Sequence, residues 1–324
     1  MALNAKELLK RIRPDFLLTG IITALILGLF VPVPENVAEG FSTAADVGVG
    51  LVFLVYGMRL RTSEVIAGLR NIKLQTAVLA TTYVFFPLLG FAFYWLTGSI
   101  IGAAFATGLL YLSLLPSTVQ SSVTFVSIAR GDVASAVCSA TISNILGMFL
   151  TPVLVLVFMD MDHASTGGIQ SVLVKLLLPF IIGQMLQPFV GNWVRAHRNI
   201  TKFTDNSAII LVVFSAVVKA TNDGAWSSVT AGGFFVLLLV LSVLLGIVLL
   251  VTWYGGKLLG FPRGEKIVLL MCGSKKSLAT GLPMAKALFD PAIVGAVAVP
   301  VIIFHQLQLI VAAVIARRLG AQEQ

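Results

Sequence analysis

Charge is the scarcest property of this chain. Only 11% of its 324 residues are Asp, Glu, Lys or Arg, where a soluble domain carries about 25%, so a water-soluble globular protein is excluded. Acidic residues are the rarer kind, 14 against 22 Lys and Arg. The formal charge of +8 does not point to nucleic acid. The basic residues form no stripe on a polar face; they are spread between apolar runs, where membrane topology accounts for them. Cysteine is almost absent: Cys138 and Cys272 both fall in apolar runs, with neither CxxC nor Cys/His ligand spacing. That excludes a disulfide framework and a zinc site. GxSxG, HExxH and P-loop patterns are missing too, so the chain is read as no enzyme, without cofactor and without metal. The first 14 residues are polar and basic and lead directly into an apolar run, so no cleavable signal peptide is expected.

What is present in abundance is hydrophobic surface, 58% of residues with a mean hydropathy of +0.99. Apolar runs lie near 15–33, 43–60, 74–96, 100–130, 133–158, 168–190, 204–221, 229–256, 265–288 and 291–317. With the N-terminus inside, the cytoplasmic segments hold Lys6, Lys10, Arg11, Arg13, Arg59, Arg61, Arg70, Lys73, Arg130, Arg195, Arg198, Lys202, Lys257, Arg263, Lys266, Arg317 and Arg318. The opposite loops hold Lys219 and Lys286, together with Glu35, Glu39, Asp160, Asp162 and Asp223. This asymmetry predicts ten membrane spans with both termini in the cytoplasm, in a cell (inner or plasma) membrane. Ten spans divide into two halves of five, and an odd number per half requires the halves to be inverted. The expected units are 1–159 and 160–324.

The most informative stretch is Cys272-Gly273-Ser274-Lys275-Lys276-Ser277, inside the apolar run from Ile267 to Leu288. A lysine at bilayer depth costs about 2.5–3.5 kcal/mol even on the lenient insertion scale. Two in succession cannot both snorkel from mid-span. A cytoplasmic loop after a short helix ending near Gly273 is the plain alternative, but it leaves too little apolar chain on either side to cross a core about 30 Å thick. A broken helix lining an enclosed, hydrated cavity is the preferred reading. The fourth run is too long for one span and has Pro116 in its middle, so it reads as two half-helices around an interruption at 115–122. Interrupted segments at matching places in two halves are the best sequence pointer to a transporter's binding site.

Polar groups concentrate around these breaks. The candidate substrate-binding residues are Ser117, Thr118, Gln120, Ser121, Ser122, Asn144, Ser274, Lys275, Lys276, Ser277, His305 and Gln306. Single hydroxyls in spans commonly bond back to their own helix, whereas the amides of Gln120, Asn144 and Gln306 each need several partners. Lys175 sits nearer a span end and can snorkel. No Asp or Glu is expected at mid-membrane depth, Asp46 and Asp205 lying near span ends. The lysine pair therefore needs a bound anion or aligned carbonyls as counter-charge.

With these residues in view, the sequence resembles the bile acid:sodium symporter family along essentially its whole length. The resemblance rests on Leu115-Pro116-Ser117-Thr118-Val119-Gln120-Ser121-Ser122, Ala129-Arg130-Gly131-Asp132-Val133-Ala134, Gly273-Ser274-Lys275-Lys276-Ser277-Leu278 and Gly281-Leu282-Pro283-Met284. The latter two blocks are similar to a subgroup of bacterial transporters and the orphan seventh member of vertebrate solute carrier family ten. The resemblance implies an all-α integral membrane protein of ten transmembrane helices in two inverted repeats, with discontinuous helices 4 and 9 crossing. A panel (15–60 and 168–221) would move against a core (74–158 and 229–317), with a small organic anion between them.

The resemblance also exposes departures at the coupling-ion positions. A glutamate of sodium-dependent members aligns with Met271, a glutamine with Lys275, fifth-span hydroxyls with Ala136 and Ala140, and an asparagine with Ser122, while Ser121 keeps the family's serine. A sodium ion without its carboxylate, beside ammonium groups, is disfavoured. Sodium is thus in doubt as a coupling ion, and Lys275 and Lys276 are expected to substitute for the cation. The expectation is a secondary transporter of an organic anion. A non-transporting regulatory or ion-homeostasis protein on the same scaffold is the alternative. The expected partners are the anion and the lipid bilayer, with no nucleic acid; the oligomeric state is open and compatible with a monomer.

Overall fold

The computed structural model describes residues 16–60, 71–159, 168–224, 226 and 230–322. The expectations placed on Lys6, Lys10, Arg11, Arg13, Arg61, Arg70, Asp160 and Asp162 lie outside these. The described residues are helical and contain no strand. In order they form α1 (Phe16–Phe30), α2 (Glu35–Arg59), α3 (Ile72–Ile101), α4 (Ala103–Leu114), α5 (Gln120–Ile128) and α6 (Val133–Phe158). The second half follows as α7 (Gly168–Ala196), α8 (Arg198–Asn222), α9 (Ala231–Leu258), α10 (Arg263–Gly273), α11 (Leu278–Leu288) and α12 (Pro291–Ala321). Seven of these, α2, α3, α6, α7, α8, α9 and α12, contain stretches long and apolar enough to cross a membrane. The outer surface is correspondingly apolar, with Phe30, Trp95, Phe189 and Leu258 all exposed, as suits an integral membrane protein.

Two breaks divide what would otherwise be long helices. After α4, Leu115–Val119 is non-helical before α5 resumes at Gln120, and after α10, Ser274–Ser277 intervenes before α11. The first interruption is shorter than the sequence suggested, because Gln120, Ser121 and Ser122 already belong to the helical turn of α5. Pro116 explains its start: it has no N–H for Leu112 O, and Leu115 N takes that carbonyl at 3.2 Å instead.

Other boundaries move outward. α2 begins at Glu35, after Pro34, so that Glu35 is a first-turn acid where the helix dipole favours it rather than a loop charge. Asp46 consequently lies well inside α2, and Lys286 lies in the last turn of α11 rather than in a loop. The two meet at 3.3 Å, with Lys286 Nζ also 2.9 Å from Ser42 Oγ. Asp46 is therefore a correction to the expectation that acids stay near span ends.

The helices pack in two sets. α1, α2, α7 and α8 pack on one another, and α3–α6 pack with α9–α12; α8 bridges the sets through α11 and α12. Within the first set α2 and α7 approach backbone to backbone. A Cβ on Gly57 would lie 2.2 Å from Phe180 O, and one on Gly183 would lie 2.1 Å from Leu54 O. Only glycine admits that approach, the small-residue packing common between membrane helices.

The turn from α5 to α6 carries the Ala129-Arg130-Gly131-Asp132 block. Arg130 adopts φ 54°, a left-handed C-terminal residue, and Gly131 N donates back to Val126 O at 2.9 Å. Asp132 then caps α6 through Ser135 N at 3.0 Å. Burial acts to raise the Asp132 pKa, but the hydrogen bonds from Ser135 hold it below the ordinary aspartate value. Arg263, at the start of α10, donates to Arg130 O at 3.3 Å and Leu319 O at 2.6 Å, tying the ends of three elements together.

Candidate functional site

The two breaks lie against each other, and each supplies the hydrogen-bonding groups the other lacks. A helix leaves its last carbonyls without intrahelical donors, and at membrane depth there is no bulk water to take them. At the end of α10, Leu270 O accepts from Ser274 Oγ, Met271 O from Ser122 Oγ at 3.1 Å, and Cys272 O from Ser117 Oγ at 2.6 Å. At the end of α4, Leu114 O accepts from Thr151 Oγ1 at 2.8 Å and Pro116 O from Ser277 N at 2.8 Å. Ser117 N donates to Ser143 Oγ at 3.1 Å.

The remaining carbonyls go to Lys276. Its Nζ is 2.7 Å from Ser113 O, 2.7 Å from Leu115 O and 2.8 Å from Thr82 O, and it lies 4.2 Å from the centre of the Phe86 ring. None of the three carbonyls can donate, so Nζ must donate three times. A neutral amine has two N–H groups and an ammonium has three, so the arrangement fits the charged form.

Thr82 O is available because of Pro87. Residues Thr81–Phe85 form a π-helical turn in α3, in which Phe86 N donates to Thr81 O. The next donor in that register would be residue 87, which is proline and has none. The π turn thus presents one orphan carbonyl, and the Lys276 ammonium meets it.

The backbone of Lys276 is fixed as firmly as its side chain. Gln308, on α12, accepts from Lys276 N at 2.8 Å and donates to Lys276 O at 2.8 Å, so one amide holds both sides of one residue. Gln308 Nε2 is also 2.9 Å from His305 Nδ1. Lys275 lies under the other face of the break. Its Nζ is 3.3 Å from Ser121 O and 4.0 Å from the centre of the Phe125 ring. Both lysines are 1% exposed.

Most of the sequence-predicted residues are drawn into this junction: Ser117, Ser121, Ser122, Ser274, Lys275 and Lys276 directly. Thr118 accepts from Ser121 Oγ at 3.4 Å. Ser277 caps α11 through Thr280 N at 3.2 Å, and Thr280 Oγ1 donates to Asn144 Oδ1 at 2.7 Å. His305 joins through Gln308. Two expectations need correction. Gln120 is not a buried amide: as the first residue of α5 it points outward and is exposed. Gln306 is half-buried and makes no hydrogen bond among the described residues.

The sequence reading missed Gln308 as a site residue, and Thr82 and Pro87 altogether. The only signal for Gln308 was an amide in an apolar helix, three residues beyond His305. Among the described residues, the buried Gln75 Oε1 and Ser139 Oγ have no hydrogen-bond partner. Their helices, α3 and α6, both pack against α10.

A polar lattice thus encloses two buried lysines at the meeting of two broken helices in an apolar protein. Residues 15–321 match the SBF-like CPA transporter family. The chain belongs to that family. Among its relatives, "Putative symporter YfeH" of Escherichia coli is 39% identical over 97% of this chain and 95% of its own length. "Uncharacterized protein PA2026" of Pseudomonas aeruginosa is 39% identical over 95% and 93%. "Sodium/bile acid cotransporter 7" of Rattus norvegicus is 22% identical over 95% and 93%. The family and the relatives named for an activity are transporters, not enzymes. The chain is accordingly a multi-pass membrane protein of a transporter family, acting on a small molecule within a lipid environment.

Proposed function

We propose that this protein is a secondary transporter that moves a small organic anion by alternating access, with Lys275 and Lys276 as tethered cations in place of the two sodium ions. The observation that carries this reading is the Lys276 ammonium enclosed by Thr82 O, Ser113 O and Leu115 O. A positive charge held at depth by these carbonyls attracts an anion, and raises the cost of adding a sodium ion nearby. The positions that the resemblance assigns to sodium ligands support it further. Met271, Ala136 and Ala140 are fully buried within one apolar cluster, beside Cys272 and Val268.

In this proposal α4 with α5, and α10 with α11, each make one crossing, giving ten spans in two inverted repeats, 1–159 and 160–324. The panel is 15–60 with 168–221 and the core is 74–158 with 229–317. The packing of α1, α2, α7 and α8 into one set, which meets the other chiefly where α8 packs on α11 and α12, is consistent with that division. The concentration of basic residues in alternate loops favours a cell-membrane protein with both termini cytoplasmic. Ten of the twelve candidate residues, all but Gln120 and Gln306, line or support the path in this reading.

The test is a thermal-shift screen of carboxylates and sulfonates in sodium and in choline medium, followed by uptake of each stabilising anion into liposomes. A ligand that binds only the native state raises apparent stability. The expected result is saturable stabilisation and uptake that are equal in the two media. Uptake that follows a sodium gradient and vanishes in choline would overturn the tethered-cation mechanism. Saturable binding without any flux would favour the alternative, a regulatory protein on a transporter scaffold.

A further inference from the structure

The two lysines are adjacent in sequence but unequal in surroundings. Lys276 spends all three of its N–H donors on carbonyls, and Gln308 holds its peptide from both sides. It can offer nothing to a ligand without dismantling the junction. Lys275 has one carbonyl, Ser121 O, at the long distance of 3.3 Å, and the face of Phe125. Its other two N–H groups meet no acceptor among the described residues, although the residue is only 1% exposed. Buried donors are nearly always paired, and a charged one more so, because the field of an unpaired buried ammonium is compensated by nothing. A ring face accepts the charge but satisfies no N–H direction.

We propose that the pair is divided in function. Lys276 is a permanent internal cation kept in register by Gln308 as its positioning residue, and Lys275 is the group that hydrogen-bonds the oxyanion of the transported solute. This rests on the anion-transport reading and deepens it. The chemical class follows from the geometry: two unmet N–H groups on one nitrogen call for a ligand with several acceptor oxygens and a negative charge, a carboxylate or a sulfonate. Ser121 lies at the same spot with its hydroxyl only loosely engaged, 3.4 Å from Thr118 Oγ1, and is free to turn toward such a ligand.

The experiment uses the full chain in lipid nanodiscs. Lys275→Cys and Lys276→Cys are exposed to 2-sulfonatoethyl methanethiosulfonate, a small anionic thiol reagent, with the unsubstituted chain as the control for Cys138 and Cys272. Thiol labelling depends on access and electropositive surroundings, so position 275 is expected to react at least about tenfold faster than position 276. Benzoate and benzenesulfonate are expected to slow labelling at 275 and to raise the melting temperature of the unsubstituted chain but not of Lys275→Cys. Gln308→Leu combined with Lys276→Cys is expected to bring labelling at 276 up toward that at 275, a change that a merely stabilising glutamine would not produce. Labelling at 276 as fast as at 275 in the presence of Gln308 overturns the division. So does an equal melting shift in Lys275→Cys and the unsubstituted chain. If neither anion shifts the unsubstituted chain, the anion-transport reading loses its support, and the labelling order still decides between the lysines.

Discussion

The link from Pro87 through the π turn to Lys276 can be measured as a coupling energy. Lys276→Met keeps most of the side-chain volume and removes the ammonium, leaving Thr82 O, Ser113 O and Leu115 O without it. Each buried acceptor left unpaired costs about 1–3 kcal/mol. Against this stands the relief from no longer burying a charge, itself several kcal/mol by order of magnitude, so the single variant alone decides little. The double variant isolates one carbonyl. Pro87→Ala restores an N–H at the position where the π register needs a donor for Thr82 O. It should therefore recover about 1–3 kcal/mol of whatever Lys276→Met loses. Effects of Pro87→Ala on the unfolded chain, about 0.4–1 kcal/mol, cancel in the cycle because they occur with either residue at 276. Equilibrium unfolding of the four proteins in mixed lipid–detergent micelles supplies the numbers. A coupling energy below about 0.5 kcal/mol, the scatter expected of independent sites, would refute the assignment of the Thr82 carbonyl to Lys276.

Two further predictions concern packing and surface charge. Gly183→Ala drives a Cβ to within 2.1 Å of Leu54 O, an overpacking that costs about 1–3 kcal/mol or more. Gly40→Ala, with nothing within 4 Å, should be neutral or stabilising by about 0.5–1 kcal/mol; the same unfolding assay distinguishes them, and equal losses would contradict the α2–α7 packing. Asp46→Asn removes the Lys286 ion pair but leaves its bond to Ser42. Asp46 is 54% exposed but the Lys286 side chain only 8%, so the loss should exceed that of a surface pair, at about 1–3 kcal/mol.

The sequence revealed the pieces whose signal is local. Pro116 and the Gly273-Ser274-Lys275-Lys276 run announced the two breaks, and hydropathy announced the long helices. It was less informative where polar residues belong to helices. The start of α2 was masked because Glu35 and Glu39 look like loop charges, although Pro34 followed by an acid is a helix-start signal. The start of α8 at Arg198 was hidden in the same way, its first turns being polar. What could not be read was every bond across sequence. Gln308 acts on a peptide 32 residues away, and Thr82 meets a side chain 194 residues away. Pro87 was visible but ambiguous, since a proline near the middle of an apolar run can kink, end or shift the register of a helix.

The reciprocity of the breaks constrains how this protein can move. Ser117 and Ser122 cap the end of α10, while Lys276 and Ser277 cap the end of α4, and Tyr111 on α4 reaches Gly281 O of α11 at 2.6 Å. Opening either break alone would strand carbonyls of both helices in an apolar interior, at about 1–3 kcal/mol for each group exposed to no partner. The half-helices are therefore poor candidates for independent gates. The contacts between the two helix sets are of another kind. They include glycine and alanine approaches such as Gly295 against Ala216 and Ala220, and the Asp46–Lys286 pair, in which Asp46 is half-exposed and Lys286 largely buried. Two hydrogen bonds also cross between the sets, from Lys286 to Ser42 and between Tyr56 and Thr280, fewer than the bonds that hold the two breaks together. If the proposed alternating access holds, the polar junction is expected to move as a unit, with the displacement falling at the interface where the first helix set meets α11 and α12.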